Sequence, residues 1–468
     1  MMAKTKIVCT IGPASREPEV LNGLIAEGMN VARLNFSHGT HETHAAVIDR
    51  IRAASAESRV PVAILQDLCG PKIRVGEIEP PGIRLSPGDT LTLTNQKANG
   101  EDKRVSVNYT DLPSDVEAGD VILLADGMME LEVLDATATD IRCRVIIGGV
   151  LTSHKGINLP SGSIRTPALT DKDKEDLEFG LDRDVDYVAL SFVRRPEDIH
   201  EARDIIRQAG RKTPVIAKIE KHEAVRNIDA IIKAADGIMV ARGDLGVEIP
   251  LERVPAIQKQ VVKKAGAAGK PVIIATQMLR SMVDAPRPTR AEATDVANAV
   301  LDGTDALMLS EETASGSYPV ESVAYMRRIA KSAESTYTYE KSFSMITDIH
   351  VSESVAHAAC TLADHLNAAA IIASTQSGFT AAQLSRFRPK SPIIALSPDV
   401  KTVRRLCLYW GCISSQTPRA TDVDEMLETA VATAREIGHV KKGDLLVITA
   451  GHPLWQAGTT NMIKVREL

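Results

Sequence analysis

The six cysteines of this 468-residue chain (Cys9, Cys69, Cys143, Cys360, Cys407 and Cys412) lack any pairing pattern, with no C-x-x-C among them. That scatter excludes a zinc site of the usual spacing and a disulfide framework, and predicts reduced thiols in a reducing compartment. Long apolar runs are missing too: none approaches the roughly 18 residues that a membrane span needs. An excess of positive charge is absent, since 55 Lys and Arg face 61 Asp and Glu for a net charge of −6. Nonspecific binding to nucleic acid or to a membrane surface is therefore not expected. The start, MMAKTKIVCTIG, passes almost directly into a strand-like run and leaves no room for a signal peptide. With no low-complexity tract either, the expectation is a cytoplasmic globular protein.

The chain is 44% hydrophobic and 25% charged, and is long enough for two to four domains. Short apolar β-type runs alternate with helical patterns. KIVCTIG precedes PEVLNGLIAEG, VARLNFS precedes THETHAAVIDRIRAA, and VAILQDL follows before the pattern breaks. The alternation resumes near Asp171, where YVALSFV, VIAKIE, IMVARGD, VIIATQM and ALMLSEE each lead into a helix-like stretch. Near-continuous apolar strands joined by amphipathic helices imply a parallel sheet covered on its outer face. Eight such strands predict a (β/α)8 barrel. The interruption, residues 72–167, holds turn chemistry (SPGD, EAGD, LADG, IIGG) between β-type runs such as TLTLT, VILLA and ELEVL. It reads as a small β-barrel inserted after the third strand and placed to act as a lid. Residues 1–71 and 168–336 then form the catalytic barrel. A third unit, 337–468, again alternates helix and strand and reads as a separate α/β domain.

Polar residues gather where the barrel strands end, which is the functional face of such a barrel. Arg33, Asn35 and Ser37 alternate in VARLNFSHG, Lys218 and Glu220 in AKIEKHE, and Arg242 and Asp244 in ARGDLG. Spacing two puts each set on one side of its strand. Asp67, Thr276 and Ser310 stand at equivalent ends. A single charged residue at a strand end is usually structural, and it is the convergence of several that points to a site. Glu220 and Asp244 are hard oxygen donors without histidine or cysteine beside them, which suits Mg2+ or Mn2+ better than zinc. Arg33, Lys218 and Arg74 supply cations for a phosphoryl group. Phosphoryl transfer needs positioning, charge neutralisation and metal bridging, which this set offers. Metal-assisted enolate chemistry on an oxoacid, by a lyase or aldolase, needs the same carboxylates and a lysine. A barrel that has lost activity and serves regulation is the reading from another class.

The stretches KIVCTIGPAS, GMNVARLNFSHG, LQDLCGPKIR, HKGINLP, DGIMVARGDLGVEIP and PRPTRAEATDVANAVLDGTDALMLSEETA resemble the pyruvate kinase family, and the resemblance runs over essentially the whole chain. It is to the short form, since no extension precedes the first strand. The resemblance implies transfer of a phosphoryl group from phosphoenolpyruvate to ADP, giving pyruvate and ATP, in a cytoplasmic homotetramer. It implies that Arg33 holds the phosphate. Glu220 and Asp244 would hold the divalent metal with the Gly243 backbone nearby, and Lys218 would neutralise the phosphoryl in flight. Thr276 and Ser310 would serve substrate binding and protonation of the enolate carbon through an ordered water. Asn35, Ser37, His38, Arg74 and the lid residue Lys155 match positions near the nucleotide phosphates. The lid, the Arg33-to-Ser37 cluster and Lys155 favour the kinase over a lyase or aldolase.

Three places depart from the family pattern or extend it. In much of the family, groups matching Asn35, Ser37, Asp67 and the Leu68 carbonyl bind K+, and an acidic residue stands at the position of Lys72. The lysine here implies that K+ is not required, because a tethered ammonium supplies the charge. Glu311 stands where many relatives have glycine. STQSGFTA carries hydroxyls and a glycine at a helix start (Ser374, Thr375, Gln376, Ser377, Gly378, Thr380), a pattern that can cradle a phosphate. The family implies a phosphorylated effector there, a sugar phosphate or AMP, although Phe379 replaces a helpful basic residue.

Overall fold

The structure is a computed structural model that describes residues 3–160, 167–336, 350–456 and 458–468. The expected lid end at 167 and barrel end at 336 border the stretches 161–166 and 337–349, which lie outside the described residues.

Eight short parallel strands close a barrel: β1 (Lys6–Thr10), β2 (Val31–Asn35), β3 (Ala63–Asp67), β4 (Tyr187–Leu190), β5 (Val215–Ile219), β6 (Gly237–Ala241), β7 (Val272–Ala275) and β8 (Ala306–Leu309). Each pairs with its neighbour in sequence, and β1 pairs with both β2 and β8. The strands are apolar on both faces because both are covered. Ile7, Cys9, Ala32, Leu34 and Ile64 pack outward under the helices, while Val8, Val31, Leu65, Ile216 and Met239 fill the barrel interior. Alternation along a strand therefore assigns a phase to every later residue: Arg33 shares the inward phase of Val31, Asp67 that of Leu65, and Lys218 that of Ile216. Helices follow six of the other strands and, after β8, a helix of four residues leads into the long helix Pro319–Glu334; the helix Asp171–Asp182 completes the unit that the insertion divides. Three of the helices start on a threonine whose hydroxyl accepts a backbone N–H, at Thr40, Thr170 and Thr289. The strand expected through ARGDLG stops at Ala241, and Arg242–Glu248 is helical. Arg242 and Asp244 consequently do not share a face, because helical residues two apart diverge.

The inserted unit has its own core, including Leu91, Leu93, Val105, Ile122, Leu131 and Val145. It is a six-stranded sheet with a two-stranded ribbon, and single bridges from Arg74 to Gly156 and from Val75 to Val107 tie the two edges of that sheet together, so it curls as a small barrel. SPGD and EAGD build the same turn: the aspartate carboxylate accepts the N–H of the first residue, Ser86 at 2.8 Å and Glu117 at 2.9 Å.

The C-terminal unit is a five-stranded sheet in the order Cys412–Gln416, Ile393–Ser397, Ala370–Ser374, Leu445–Gly451, Thr460–Glu467. Its first four strands are parallel and the last is antiparallel. Ion pairs dock it on the barrel, the buried Arg388 on Asp305 at 2.8 Å and the half-buried Arg404 on Asp186 at 2.7 Å. Among the described residues no helix is long and apolar enough to cross a membrane, and all six cysteines are free thiols.

Candidate active site

A cleft of about 750 Å3 opens where the barrel strands end, walled by Arg33, Asn35, Lys218, Glu220, Asp244 and Thr276 among others. Its floor is an ion network. Asp67, at the inward end of β3, accepts from Arg33 Nε at 2.6 Å and lies 3.2 Å from Lys218 Nζ. Lys218 Nζ is 2.9 Å from Glu220 Oε1 and donates to Ser191 Oγ at 2.7 Å. The other Glu220 oxygen accepts the N–H of Phe192 at 2.7 Å. Arg33 also reaches Thr10 Oγ1 at 2.9 Å.

Burial and charge set the protonation of this network. Burial alone would raise the Asp67 carboxyl, yet the charges of Lys218 and Arg33 outweigh it and hold Asp67 below the usual carboxylate range. Burial works to lower Lys218, but Asp67 and Glu220 prevail and raise it, so it is a fixed ammonium. At Glu220 burial wins over the attraction of Lys218, with Asp244 adding repulsion, and its carboxyl is raised. A cation placed between Glu220 and Asp244 would reverse that shift.

The stretch GPK, after β3, is shaped by Gly70, whose φ of +68° and closeness to Phe192 leave no room for a side chain: a Cβ there would lie 2.8 Å from the Phe192 ring. The turn delivers Lys72 to Asp244, Nζ to Oδ1 at 3.3 Å. Lys72 thus pairs with a carboxylate expected to bind the divalent metal, while Asp67 is ion-paired with Arg33 and Lys218. The Leu68 carbonyl accepts from Ser191 Oγ at 2.7 Å, and Asn35 Oδ1 accepts the Ser37 N–H at 3.2 Å.

Thr276 follows β7 with φ +70°, and Gln277 follows at +56°. For a β-branched residue this is a strained backbone, of the kind held in place at functional sites at a cost of about 1–3 kcal/mol. It lets Thr276 Oγ1 accept the Gly243 N–H at 2.7 Å while donating to the Ala275 carbonyl at 2.6 Å. Ser310 Oγ is buried without a hydrogen-bond partner and lines the same cleft. Glu312 accepts the N–H of Ser310 and of Leu279, at 2.7 and 3.0 Å, while Glu311 is an exposed neighbour of Arg280.

Ser37, His38 and Arg74 also line the cleft. Asp67, Leu68 and Gly243 lie just behind its wall, and Lys155 and Arg242 point elsewhere. Lys155 is exposed on the lid and off the cleft wall. Arg242 turns away to Asp295, 2.7 Å. Ser191, linking Lys218 to the Leu68 carbonyl, went unnoticed in the sequence, although it sits two residues beyond inward-facing Ala189 and shares its phase. Glu220 and Asp244 fit a hard divalent cation as a pair of oxygen donors; no group of three or more His, Cys, Asp or Glu able to hold a metal occurs among the described residues. Mg2+ sites of this sort take one or two carboxylates and complete their shell with water and substrate oxygens.

In the C-terminal unit, Ser374, Thr375, Gln376, Ser377 and Thr380 face Gly458, Thr459 and Thr460 across a small pocket. Gly378, at φ +85°, caps the helix Phe379–Arg386.

A family model described as "Pyruvate kinase, barrel domain" matches residues 2–323, and one described as "Pyruvate kinase, alpha/beta domain" matches 353–466. The chain belongs to the pyruvate kinase family. It is 46% identical to "Pyruvate kinase" of Clostridium acetobutylicum over 99% of both chains. It is 48% identical to "Pyruvate kinase" of Staphylococcus haemolyticus and to "Pyruvate kinase 2" of Synechocystis, over 99% of this chain and 80% and 79% of theirs. Pyruvate kinases are phosphotransferases, and the cleft at the barrel mouth has the cations and oxygen donors that phosphoryl transfer asks for.

Proposed function

We propose that this chain transfers the phosphoryl group of phosphoenolpyruvate to ADP, giving pyruvate and ATP. The observation that carries the reading is the meeting of Arg33, Lys218, Glu220 and Asp244 in one cleft at the barrel mouth. Arg33 binds the phosphate, with Asp67 fixing the direction of its guanidinium. Glu220 and Asp244 would hold Mg2+ or Mn2+, and the ion would supply neutralisation of the substrate's negative charge. Lys218, kept as an ammonium by its two carboxylates, stabilises the phosphoryl as it moves. When the phosphorus–oxygen bond breaks, the bonding pair stays on the enolate oxygen, and carbon 3 takes a proton from an ordered water that Thr276 and Ser310 position. Asn35, Ser37, His38 and Arg74 receive the nucleotide phosphates, and Lys155 joins them by movement of the lid. Residues 72–167 serve as that lid and 337–468 as a regulatory unit that takes a sugar phosphate or AMP at the 374–380 loop. The working form is a cytoplasmic homotetramer in glycolysis.

A coupled assay of pyruvate formation with and without ADP tests the reading: formation only with ADP, and ATP in equal amount, is expected, whereas ADP-independent pyruvate release points to a lyase or aldolase and no release at all to an inactive barrel. We also infer that K+ is not required. Asp67, the Leu68 carbonyl and Asn35 Oδ1 have partners within the protein, and Lys72 adds a positive charge to the same mouth. Wild-type activity is expected to persist when a bulky organic cation replaces K+, and Lys72→Glu to become K+-dependent; collapse of the wild type under that exchange defeats the inference.

A further inference from the structure

Beside the cleft, at the seam of lid and barrel, lies a buried polar cluster with no place in the mechanism above. Glu248 Oε1 accepts from Lys221 Nζ at 2.7 Å and from Asn158 Nδ2 at 2.9 Å. All three residues are buried, Glu248 at 3% and Lys221 and Asn158 at 6% exposure. The second oxygen, Oε2, faces His222 Nδ1 at 3.7 Å. The three segments that meet here differ in origin. Lys221 directly follows Glu220. Glu248 ends the seven-residue helix Arg242–Glu248 that carries Asp244. Asn158 belongs to the lid, where Ile157 and Asn158 pair with Leu124 and Leu123. The lid turn at Gly127 lies next to it: a Cβ built there would stand 3.7 Å from the Val247 side chain.

A buried ion pair is a weak source of stability, because desolvation consumes most of its attraction and apolar residues of the same volume serve as well. What a carboxylate does that an apolar side chain cannot is accept from the barrel and from the lid at one oxygen. We propose that Glu248 is a positioning residue that latches the lid to the two segments bearing the metal carboxylates, so that lid docking and the spacing of Glu220 and Asp244 are set by one group. This rests on the reading of Glu220 and Asp244 as metal ligands.

The test uses the full chain, with hydrogen exchange, Mn2+ titration and steady-state kinetics on Asn158→Ala and Glu248→Gln. Asn158→Ala removes only the lid's donor and leaves Glu248 paired with Lys221, so the barrel is retained. Lid amides over 121–127 and 157–158 are expected to exchange about tenfold faster, the size of a lost hydrogen bond to a charged group, with barrel-strand amides unchanged. The nucleotide KM is expected to rise about tenfold with kcat within about threefold, a split that general destabilisation does not produce. Glu248→Gln keeps an oxygen for Asn158 but withdraws the charge from Lys221, and is expected to weaken Mn2+ binding about tenfold. Lid exchange in Asn158→Ala equal to the parent overturns the latch, and unchanged Mn2+ affinity in Glu248→Gln overturns its link to the metal carboxylates. A parent chain that binds no Mn2+ overturns the metal reading instead, and the exchange measurement then decides the latch alone.

Discussion

The barrel mouth and the pocket of the C-terminal unit are both built at the ends of parallel strands, yet they are made of opposite materials. The mouth gathers Arg33, Asp67, Lys218 and Glu220 from three strands and the loops that extend them into one buried ion network. The C-terminal pocket draws on the loop 374–380 and on residues of the segments 450–456 and 458–460, and none of its described lining residues is charged. Its hydroxyls satisfy one another, as where Thr380 Oγ1 and Thr460 Oγ1 lie 2.7 Å apart. The difference teaches which site has high stakes. Buried charges held against desolvation are preorganised for a charged reaction, whereas a neutral hydroxyl pocket binds and releases at small cost.

Changes at the two sites should therefore differ in scale. The largest effect is expected for Lys218→Met, which removes the ammonium between two buried carboxylates. Turnover should fall by about a thousandfold or more, as for loss of a preorganised charge in a reaction site. Stability should fall by about 3–5 kcal/mol, because Asp67 and Glu220 lose a partner in a buried setting. Single-turnover pyruvate formation and denaturant unfolding measure the two effects, and a stable, active variant would erase the contrast between the sites.

Next comes Thr276→Ala, expected to lower kcat about a hundredfold, because the hydroxyl that takes the Gly243 N–H, and to which we assign the ordering of the proton source, is gone. The stereochemistry of proton delivery to carbon 3 should be scrambled, and its solvent isotope effect altered. Unchanged values in both would remove Thr276 from the protonation step. The smallest effect is expected for Thr380→Val. Basal turnover should stay within about twofold, since the residue lies in another domain, while activation by a sugar phosphate or AMP should weaken about tenfold with the loss of one hydroxyl. Substrate saturation curves with and without effector measure it; equal activation of variant and parent would break the assignment of the pocket.

Much of the mouth was legible because strand phase is a rigid rule. Once eight apolar runs predict a closed parallel barrel, alternation sends Arg33, Asp67 and Lys218 inward, and Ser191 was there to be found by the same count. The rule failed at Arg242, where the backbone turns helical one residue after β6 and the two-residue period no longer holds. Lys155 stands off the cleft wall for another reason: its distance from the cleft depends on how the lid is set, which local spacing does not encode. The strand Thr460–Glu467 was overlooked because, as a mostly exposed antiparallel edge, it lacks the apolar run that marked its parallel neighbours.

By itself the sequence determined the family, the barrel with its interruption and the chemical character of the strand ends, since periodicity and turn residues act locally along the chain. Only the tertiary structure decided who pairs with whom. GPK brings Lys72 to Asp244, 172 residues away in sequence, and Asn158 reaches Glu248 across 90. Such pairings depend on how a closed barrel and a folded-back insertion bring distant backbone together, and no spacing along the chain carries that information.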